Sequence, residues 1–530
     1  MAQLDFDFGM GAKAAEVVAR EYKPRDYQVA AARAAYDALK TAQATALYLA
    51  TGTGKTEIAA LLAQLWQQGL AELRNILIIA PRRELVRQFA ARLRLRGVPC
   101  GIEMADERSD HCVTVACYAS LASRGRIKKY IGTTGLVIVD ECHSNYSIAS
   151  LQMLEDLRSW GAKVVGMTAS PPPRDGVFKQ DKELVLTDHY GTPSYIYDYP
   201  QAVKEGNLVS CRAHLCVIDD LDLSKFRSSF SGDFDQTRID RLMRDRGVVA
   251  GVGAMIAQHW DEQPSVVFCG SIKHAEAVRD DLLSRGITAS IVHSGMDDDE
   301  QRLHLEDFMG GRSKLIINVG ILTMGWDAPL VRKLFIARCT KSSQLYLQIF
   351  GRGPRCLPGV IDHIDTVEGR LAAIAASDKP YFEVFDITDS SRHNDLKTAL
   401  DILMPAVEGS LMRRLKNRNT RQPIPAEEVD AILAEEKAKA HAEQLALDAL
   451  EMKRRTHIDV HTGISTYERD PMADAEGGGG KRVVDYWWMP YGKYRGRSFS
   501  KIPSGYLRAL LPHVRQESLA RNIRKHLSRN

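Results

Sequence analysis

Ala50-Thr51-Gly52-Thr53-Gly54-Lys55-Thr56 is the stretch on which the fold is read. The apolar run Ala46–Ala50 leads into it, and the amphipathic stretch Lys55–Gln68 leaves it. A strand, a glycine-rich turn and a helix in that order make a cradle for phosphate. The glycines let backbone N–H groups close on the phosphate oxygens, and the helix N-terminus adds a favourable dipole. Lys55 then reaches the outer phosphates and Thr56 holds Mg²⁺, with Thr51, Gly52, Thr53 and Gly54 forming the cradle itself. The first position of the pattern, where Gly or Ala is usual, is Leu49. An ordinary glycine-rich turn is the plainer alternative for this stretch.

Working outward, strand-like runs recur at Asn75–Ala80, Val113–Cys117, Leu136–Asp140 and Lys163–Met167, with helix-like stretches such as Arg82–Leu95 between them. This rhythm predicts a parallel sheet covered on both faces. It breaks near residues 171–245, beginning with Pro171-Pro172-Pro173. It restarts with Ser265–Cys269, Ala289–Val292, Leu315–Val319 and Lys333–Ala337, a second α/β unit of similar size. The boundaries expected are 20–190 for the first domain, 191–244 for a linker region and 245–398 for the second domain. Beyond about residue 400 no further strands are expected. Residues 399–469 read as a helical extension, with Glu427–Arg455 as one helix starting near Pro425. Gly477-Gly478-Gly479-Gly480 marks a flexible linker over 470–481, and a small basic, aromatic module fills 482–530.

The second chemical signal is Leu136-Val137-Ile138-Val139-Asp140-Glu141-Cys142-His143. An apolar strand ends in two adjacent carboxylates. Asp140 at the strand end can bind Mg²⁺ through water, and Glu141 can orient and deprotonate an attacking water. A strand followed by an acidic turn is the bland alternative, but this pair comes about 85 residues after a phosphate loop.

Asp-Glu-Cys-His after Thr-Gly-Thr-Gly-Lys-Thr resembles a superfamily-two helicase of the DEAD/DEAH-box kind. That resemblance implies two tandem RecA-like domains with ATP and Mg²⁺ bound between them. Arg25-Asp26-Tyr27-Gln28 resembles the upstream adenine-reading element, with Arg25 and Gln28 at the nucleotide and Gln28 the base contact. Ala80-Pro81-Arg82-Arg83-Glu84-Leu85 resembles the strand-gripping motif, which puts Arg82 and Arg83 on nucleic acid. Thr168-Ala169-Ser170 resembles the element linking hydrolysis to strand movement, and Thr168, Ser170 and Thr323 are expected at the nucleic acid. Val267-Phe268-Cys269 and Ile317-Asn318-Val319 match strand motifs of the second unit. Thr323-Met324-Gly325-Trp326-Asp327-Ala328-Pro329 matches the next motif, with Gly325 and Asp327 at the nucleotide. Gln348-Ile349-Phe350-Gly351-Arg352-Gly353-Pro354-Arg355 matches the last, which makes Gln348, Arg352 and Arg355 catalytic candidates beside Lys55, Asp140 and Glu141. Two arginines brought from the other domain would act as arginine fingers, each worth on the order of 10³–10⁵ in rate.

Within the superfamily the wording of Asn318–Thr323, Trp326–Pro329 and Leu345–Gln348 is similar to the RadD group of bacterial repair proteins, to branch-migration helicases of the UvsW type and to restriction-enzyme motor subunits. Such repair proteins continue into a Cys-rich zinc region, whereas no cysteine follows Cys356 here. Asp-Glu-Cys-His in place of Asp-Glu-Ala-Asp, and Gln348 in place of His, both lead away from the RNA-remodelling DEAD-box group. DNA is therefore the preferred substrate on this resemblance.

Composition fits that picture. The 530 residues are 45% hydrophobic and 26% charged, ordinary for a globular chain that buries sizeable cores. No apolar run nears the ~20 residues of a membrane helix, and Met1 to Gly11 lacks the basic start of a secretory signal. Nine cysteines without a C-x-x-C pair argue against a disulfide framework or zinc ribbon and fit a reducing cytoplasm, in a bacterium or a phage-infected cell. Net charge is only +4, but residues 481–530 hold twelve Lys/Arg against two Asp/Glu, so the other 480 residues are slightly acidic. A basic end suggests a polyanion partner, or a solvated tail.

In that end module Trp487, Trp488, Tyr491 and Tyr494 interleave with Lys493, Arg495 and Arg497. Stacking platforms with cations suit single-stranded nucleic acid, at roughly 1–3 kcal/mol per base. The same aromatics could instead be the core of a very small domain. His457, Asp459 and His461 would share one face of a strand, but with no further ligand cluster they read as a polar strand face rather than a metal site. The functional expectation is an ATP-dependent nucleic-acid helicase or translocase that unwinds or remodels branches in repair, recombination or replication. Two alternatives stand beside it: a motor subunit that needs a nuclease or repair partner, recruited by the C-terminal module, and an ATP-switched nucleic-acid-binding protein.

Overall fold

The computed structural model describes residues 23–69, 75–105, 107–109, 111–144, 148–169, 189–223, 235–322, 326, 328–389, 396–404, 409–420 and 422–439, with residues 457–458, 465–466, 507–508, 523–524 and 527 beyond them. The chain divides into two compact units, Met1–Ala442 and Glu443–Asn530. The first unit holds two sheets.

The first sheet comprises β1 (Ala44–Leu49), β2 (Asn75–Ala80), β3 (Gly101–Glu103), β4 (Val113–Cys117), β5 (Thr134–Asp140), β6 (Lys163–Thr168) and β7 (Pro193–Tyr197), in the spatial order β3-β4-β2-β5-β6-β1-β7. Every pairing is parallel. Helices Asp26–Thr41, Lys55–Gly69 and Arg83–Leu95 cover it. All seven residues of β5 are buried, as a parallel strand with helices on both faces requires. The strand therefore reads as an unbroken apolar run, and truncating Ile138 in its middle would cost about 2–5 kcal/mol.

The second sheet comprises β8 (Ser210–Ile218), β9 (Ser265–Cys269), β10 (Ser290–His293), β11 (Leu315–Val319), β12 (Lys333–Ala337), β13 (Tyr381–Asp389) and β14 (Ile424–Pro425), in the order β10-β11-β9-β12-β13-β8-β14. Its pairings are parallel except for β14, which runs antiparallel to β8. Two parallel-dominated α/β sheets in tandem are the RecA-like arrangement expected.

The expected linker, 191–244, differs in the structure: β7 is the edge strand of the first sheet and β8 an inner strand of the second. The passage between the sheets is only residues 198–209, including the short helix Tyr199–Lys204. The helical extension also starts differently, because it is welded to the second sheet. Ala399 donates its N–H to Asp386 at 2.8 Å, Asn419 donates its amide to the Ala213 carbonyl at 2.8 Å, and β14 adds a strand. Strands therefore do occur past residue 400. Helix is described over 429–439 of the single helix expected for 427–455, the rest of which lies outside the described residues.

In the second unit, His457–Ile458 and Ser465–Thr466 form an antiparallel pair. Leu507 and Ile523 are fully buried. Asp459, His461, the 470–481 linker, Trp487, Trp488, Lys493, Arg495 and Arg497 lie outside the described residues. Among the described residues no helix is long and apolar enough to cross a membrane.

Candidate nucleotide and nucleic-acid site

Parallel strands put the loops after their C-terminal ends on one rim, where α/β ligands bind. The loop after β1 is the phosphate cradle. Gly52 and Gly54 adopt φ of +93° and +78°, which a side chain would strain. A Cβ on Gly54 would also lie 2.8 Å from the Gln28 amide nitrogen. Lys55 opens the next helix, and its ammonium meets Glu141 Oε1 at 2.8 Å. Thr56 follows in the same first turn, half-buried.

The Asp140–Glu141 pair sits at the end of β5, one strand away from β1 across β6. Glu141 holds φ at +46°, an unusual value for a residue with a side chain and one often found at functional sites. Burial, and then the charge of Glu141, push the Asp140 carboxyl up to about 7. Burial works the same way on Glu141, but Lys55, His143 and Arg352 outweigh it and bring that carboxyl down. Burial also opposes the charge on Lys55, yet Glu141 and Asp140 raise it and keep the ammonium protonated.

Asp140 Oδ1 is buried without a hydrogen-bond partner. An orphaned carboxylate oxygen beside a glycine-rich loop is one that Asp140 would use to help hold a divalent cation. Among the described residues no group of three or more His, Cys, Asp and Glu could hold a metal alone. Thr56 and Asp140 thus fit Mg²⁺ carried in with phosphates, since Mg²⁺ uses few protein ligands.

His143 was quoted with the motif but given no role, and the structure gives it one. Its Nδ1 lies 2.5 Å from Thr168 Oγ1 and 3.4 Å from Glu141 Oε2. It thereby joins the end of β6 to the Glu141 carboxylate. Thr168, expected at the nucleic acid, is fully buried and faces His143. Ser170, Thr323, Gly325 and Asp327 lie outside the described residues.

Gln28 packs against the loop after β1. The side chain expected to read the base is 4% exposed, donates to the Thr53 carbonyl at 3.1 Å and accepts from the Arg25 N–H at 3.0 Å. Tyr27, unassigned from sequence, donates to the same carbonyl at 2.7 Å and stacks on Tyr197 with centroids 4.3 Å apart. Both residues shape the cradle from behind. Arg25 turns to the passage and the second domain, donating to Asn207 O at 3.3 Å and approaching Asp362 at 3.7 Å.

The second domain reaches the cradle through the segment after the helix Ser343–Phe350. Arg352 is buried, and donates through Nη1 to the Trp326 carbonyl and through Nε to the Gln348 carbonyl at 3.3 Å. Gln348 enters by its backbone. The aliphatic stem of Arg355 lies beside Gly52, where an added Cβ would come within 3.2 Å of it. The structure thus brings Lys55, Asp140, Glu141, Arg352 and Arg355 to one cleft. Arg82 and Arg83 stand exposed at the end of β2, on the same rim.

A family model described as the type III restriction enzyme res subunit matches residues 21–173, and one described as the helicase conserved C-terminal domain matches residues 252–356. The endonuclease subunit of the type I restriction enzyme EcoAI of Escherichia coli is 24% identical over 63% of this chain and 44% of that protein. IRC3 of Saccharomyces cerevisiae, named as a candidate ATP-dependent helicase, is 27% identical over 62% of this chain and 49% of its own. The chain therefore spans about half the length of these curated relatives. The solved structure of the ATP-dependent type ISP restriction-modification enzyme LlaBIII bound to DNA has a TM-score of 0.52 at 15% identity, over 76% of this chain and 29% of that one, a likeness of fold.

Proposed function

We propose that this chain, whose two α/β domains are those of a superfamily-two DEAD/DEAH-type helicase, hydrolyses ATP to move along nucleic acid, with DNA as its track. The observation that carries the reading is the convergence of Lys55, Asp140 and Glu141 from one domain with Arg352 and Arg355 from the other. Neither domain alone holds the whole constellation. A site shared across a cleft couples chemistry to domain motion.

In this reading Lys55 and the cradle N–H groups hold the outer phosphates, and Arg25 and Gln28 stand behind the base end. Mg²⁺ held by Thr56 and Asp140 would neutralise phosphate charge. Glu141 accepts the proton of a water that attacks the γ-phosphorus; the bond to the bridging oxygen breaks and ADP leaves. Arg352 and Arg355 meet the charge on the transferring phosphoryl group. The Glu141–His143–Thr168 contacts pass the change at the γ-phosphate to the end of β6, beside the rim carrying Arg82 and Arg83. Phosphate contacts dominate affinity, so the grip is largely indifferent to sequence.

DNA is supported by the restriction-enzyme relatives and by the DNA-bound structure of like fold. Action in repair or recombination, and the nearer likeness to RadD or UvsW-type proteins, rest on motif wording. The nine cysteines without a C-x-x-C pair support a reducing compartment; a bacterial or phage-infected cell rests on the motif wording. A second reading has its own support. The matched relatives include subunits of larger restriction enzymes, so the chain could be the motor of such an assembly, with residues 482–530 recruiting the partner. A pulldown whose partner is lost on deleting 482–530 would favour it.

The deciding test is steady-state ATP hydrolysis without polymer, then with single-stranded DNA, duplex DNA, a fork and RNA. Strong stimulation by one DNA form supports the motor and names its track. An unchanged rate with every polymer refutes a self-sufficient motor.

A further inference from the structure

Lys379 belongs to none of the motifs that mark the cleft, yet its side chain is buried at 1% exposure. Its ammonium donates to the carbonyl of Pro329 at 2.6 Å and to the carbonyl of Arg355 at 2.9 Å. Pro329 closes the stretch that begins at Trp326, whose own carbonyl receives Arg352 Nη1. One cation therefore grips both the peptide of one cleft arginine and the segment that anchors the other. Lysine is the residue least often taken out of water without a reason, because its charge must be met by acceptors.

The neighbourhood is built for the same purpose. The turn carrying Lys379 is fixed by Ser377, whose Oγ accepts the Lys379 N–H at 3.1 Å and donates to Ile374 O at 2.8 Å. Phe382, three residues further along, fills the space beneath Gly353, where an added Cβ would fall 2.1 Å from its ring. Residues 379–382 thus meet the arginine segment from below at two points, a backbone carbonyl and a glycine.

We propose that Lys379 is a positioning residue for the two cleft arginines. It fixes the spacing of the Trp326–Pro329 and Arg352–Arg355 segments, so that both guanidinium groups face the phosphate cradle. The inference rests on the ATP-motor reading above and assigns a residue to it that no motif contains.

The test compares full-length wild type and Lys379→Met by melting temperature and by DNA-stimulated hydrolysis of Mg²⁺·ATP. Positioning predicts a kcat at least tenfold lower with the KM for ATP moved less than threefold. In an Arg352→Ala/Arg355→Ala background, where neither arginine is left to position, the same substitution costs less than a further twofold in single-turnover hydrolysis. Lys379→Arg, with several donors on its fork, keeps at least a third of wild-type kcat. A folded Lys379→Met protein with wild-type kcat overturns the proposal, as does a full additional loss in the Arg352→Ala/Arg355→Ala background. Should Lys379→Met fail to fold, Lys379→Gln and Lys379→Arg carry the comparison: a low kcat for Gln beside a high kcat for Arg supports positioning, and equal values overturn it. A wild-type chain that hydrolyses no ATP with any polymer overturns the motor reading and this inference together; the other negative results overturn this one alone.

Discussion

Gly351 of the second domain meets Thr51 of the first so closely that a Cβ on the glycine would lie 2.2 Å from the threonine Cγ2 and 2.5 Å from its Cβ. The phosphate cradle and the arginine segment are thus in direct contact, and the absence of a side chain makes that contact possible. Thr51 Cβ is tied to the backbone and cannot swing aside, so any side chain at 351 has to part the domains.

Gly351→Ala is therefore expected to bind ATP through the first domain and to turn it over at least tenfold more slowly. Fluorescent-nucleotide binding beside steady-state hydrolysis checks it. Wild-type turnover in the variant would mean that the closed contact is not the active one.

The Lys55–Glu141 pair at 2.8 Å separates binding from chemistry. Lys55→Ala is expected to abolish turnover and weaken nucleotide binding. Glu141→Gln keeps the shape and should retain ATP while losing hydrolysis by at least a hundredfold. An active Glu141→Gln protein would exclude Glu141 as the general base. Arg352→Ala and Arg355→Ala each remove charge stabilisation on the order of 10³ in rate if they act as fingers.

His274 makes the second domain acid-sensitive. Both ring nitrogens are buried without a hydrogen-bond partner, and burial, helped by Arg244 and opposed by Asp240, brings its pKa down to about 4. The folded state holds the ring neutral, while the unfolded chain takes up a proton below about 6.5. Stability is thus complete above 6.5 and is lost as pH falls from 6.5 towards 4, by about 2 kcal/mol at pH 5. Urea unfolding at pH 7 and pH 5 should show that slope, reduced in His274→Leu. An equal slope in both proteins would assign the loss to other groups.

Deleting residues 482–530 removes a balance of +9 from the chain's end and should weaken DNA binding most at low salt. Salt titrations of fluorescence anisotropy read this directly. Unchanged affinity at low salt would show that the basic end serves something other than DNA.

The strands that carry the site were legible because burial on both faces leaves them apolar throughout. β2, β4, β9, β11 and β12 have the bounds their sequence runs suggested. β8 and β13 were missed for the opposite reason. β8 alternates buried and half-buried positions and carries Arg212 and His214, polar residues met by the distant β13. Arg212 stacks 3.6 Å from the Tyr381 ring centroid, and His214 meets Glu383 at 3.0 Å. Such partners lie far off in sequence, so no local pattern reveals them. The same holds for Lys379, which reads as an ordinary turn lysine until its two carbonyls are seen. Gln28 and Thr168 were found through their motifs, but only the structure shows which way they turn.

The strand order of the second sheet also governs how the protein is made. β8 leaves the ribosome first and has to pair along nine residues with β13, about 170 residues later. Its other side is closed later still, by the two residues of β14. Until then β8 offers open edges of the kind that drive aggregation, and contacts so distant in sequence form slowly. The first sheet closes with β7 by residue 197, so the two halves mature in sequence, the loop after β1 well before the arginine segment that meets it. A nascent chain arrested before Ile424 would carry a finished cradle and an unfinished, sticky partner, and would be a substrate for chaperones rather than a smaller enzyme.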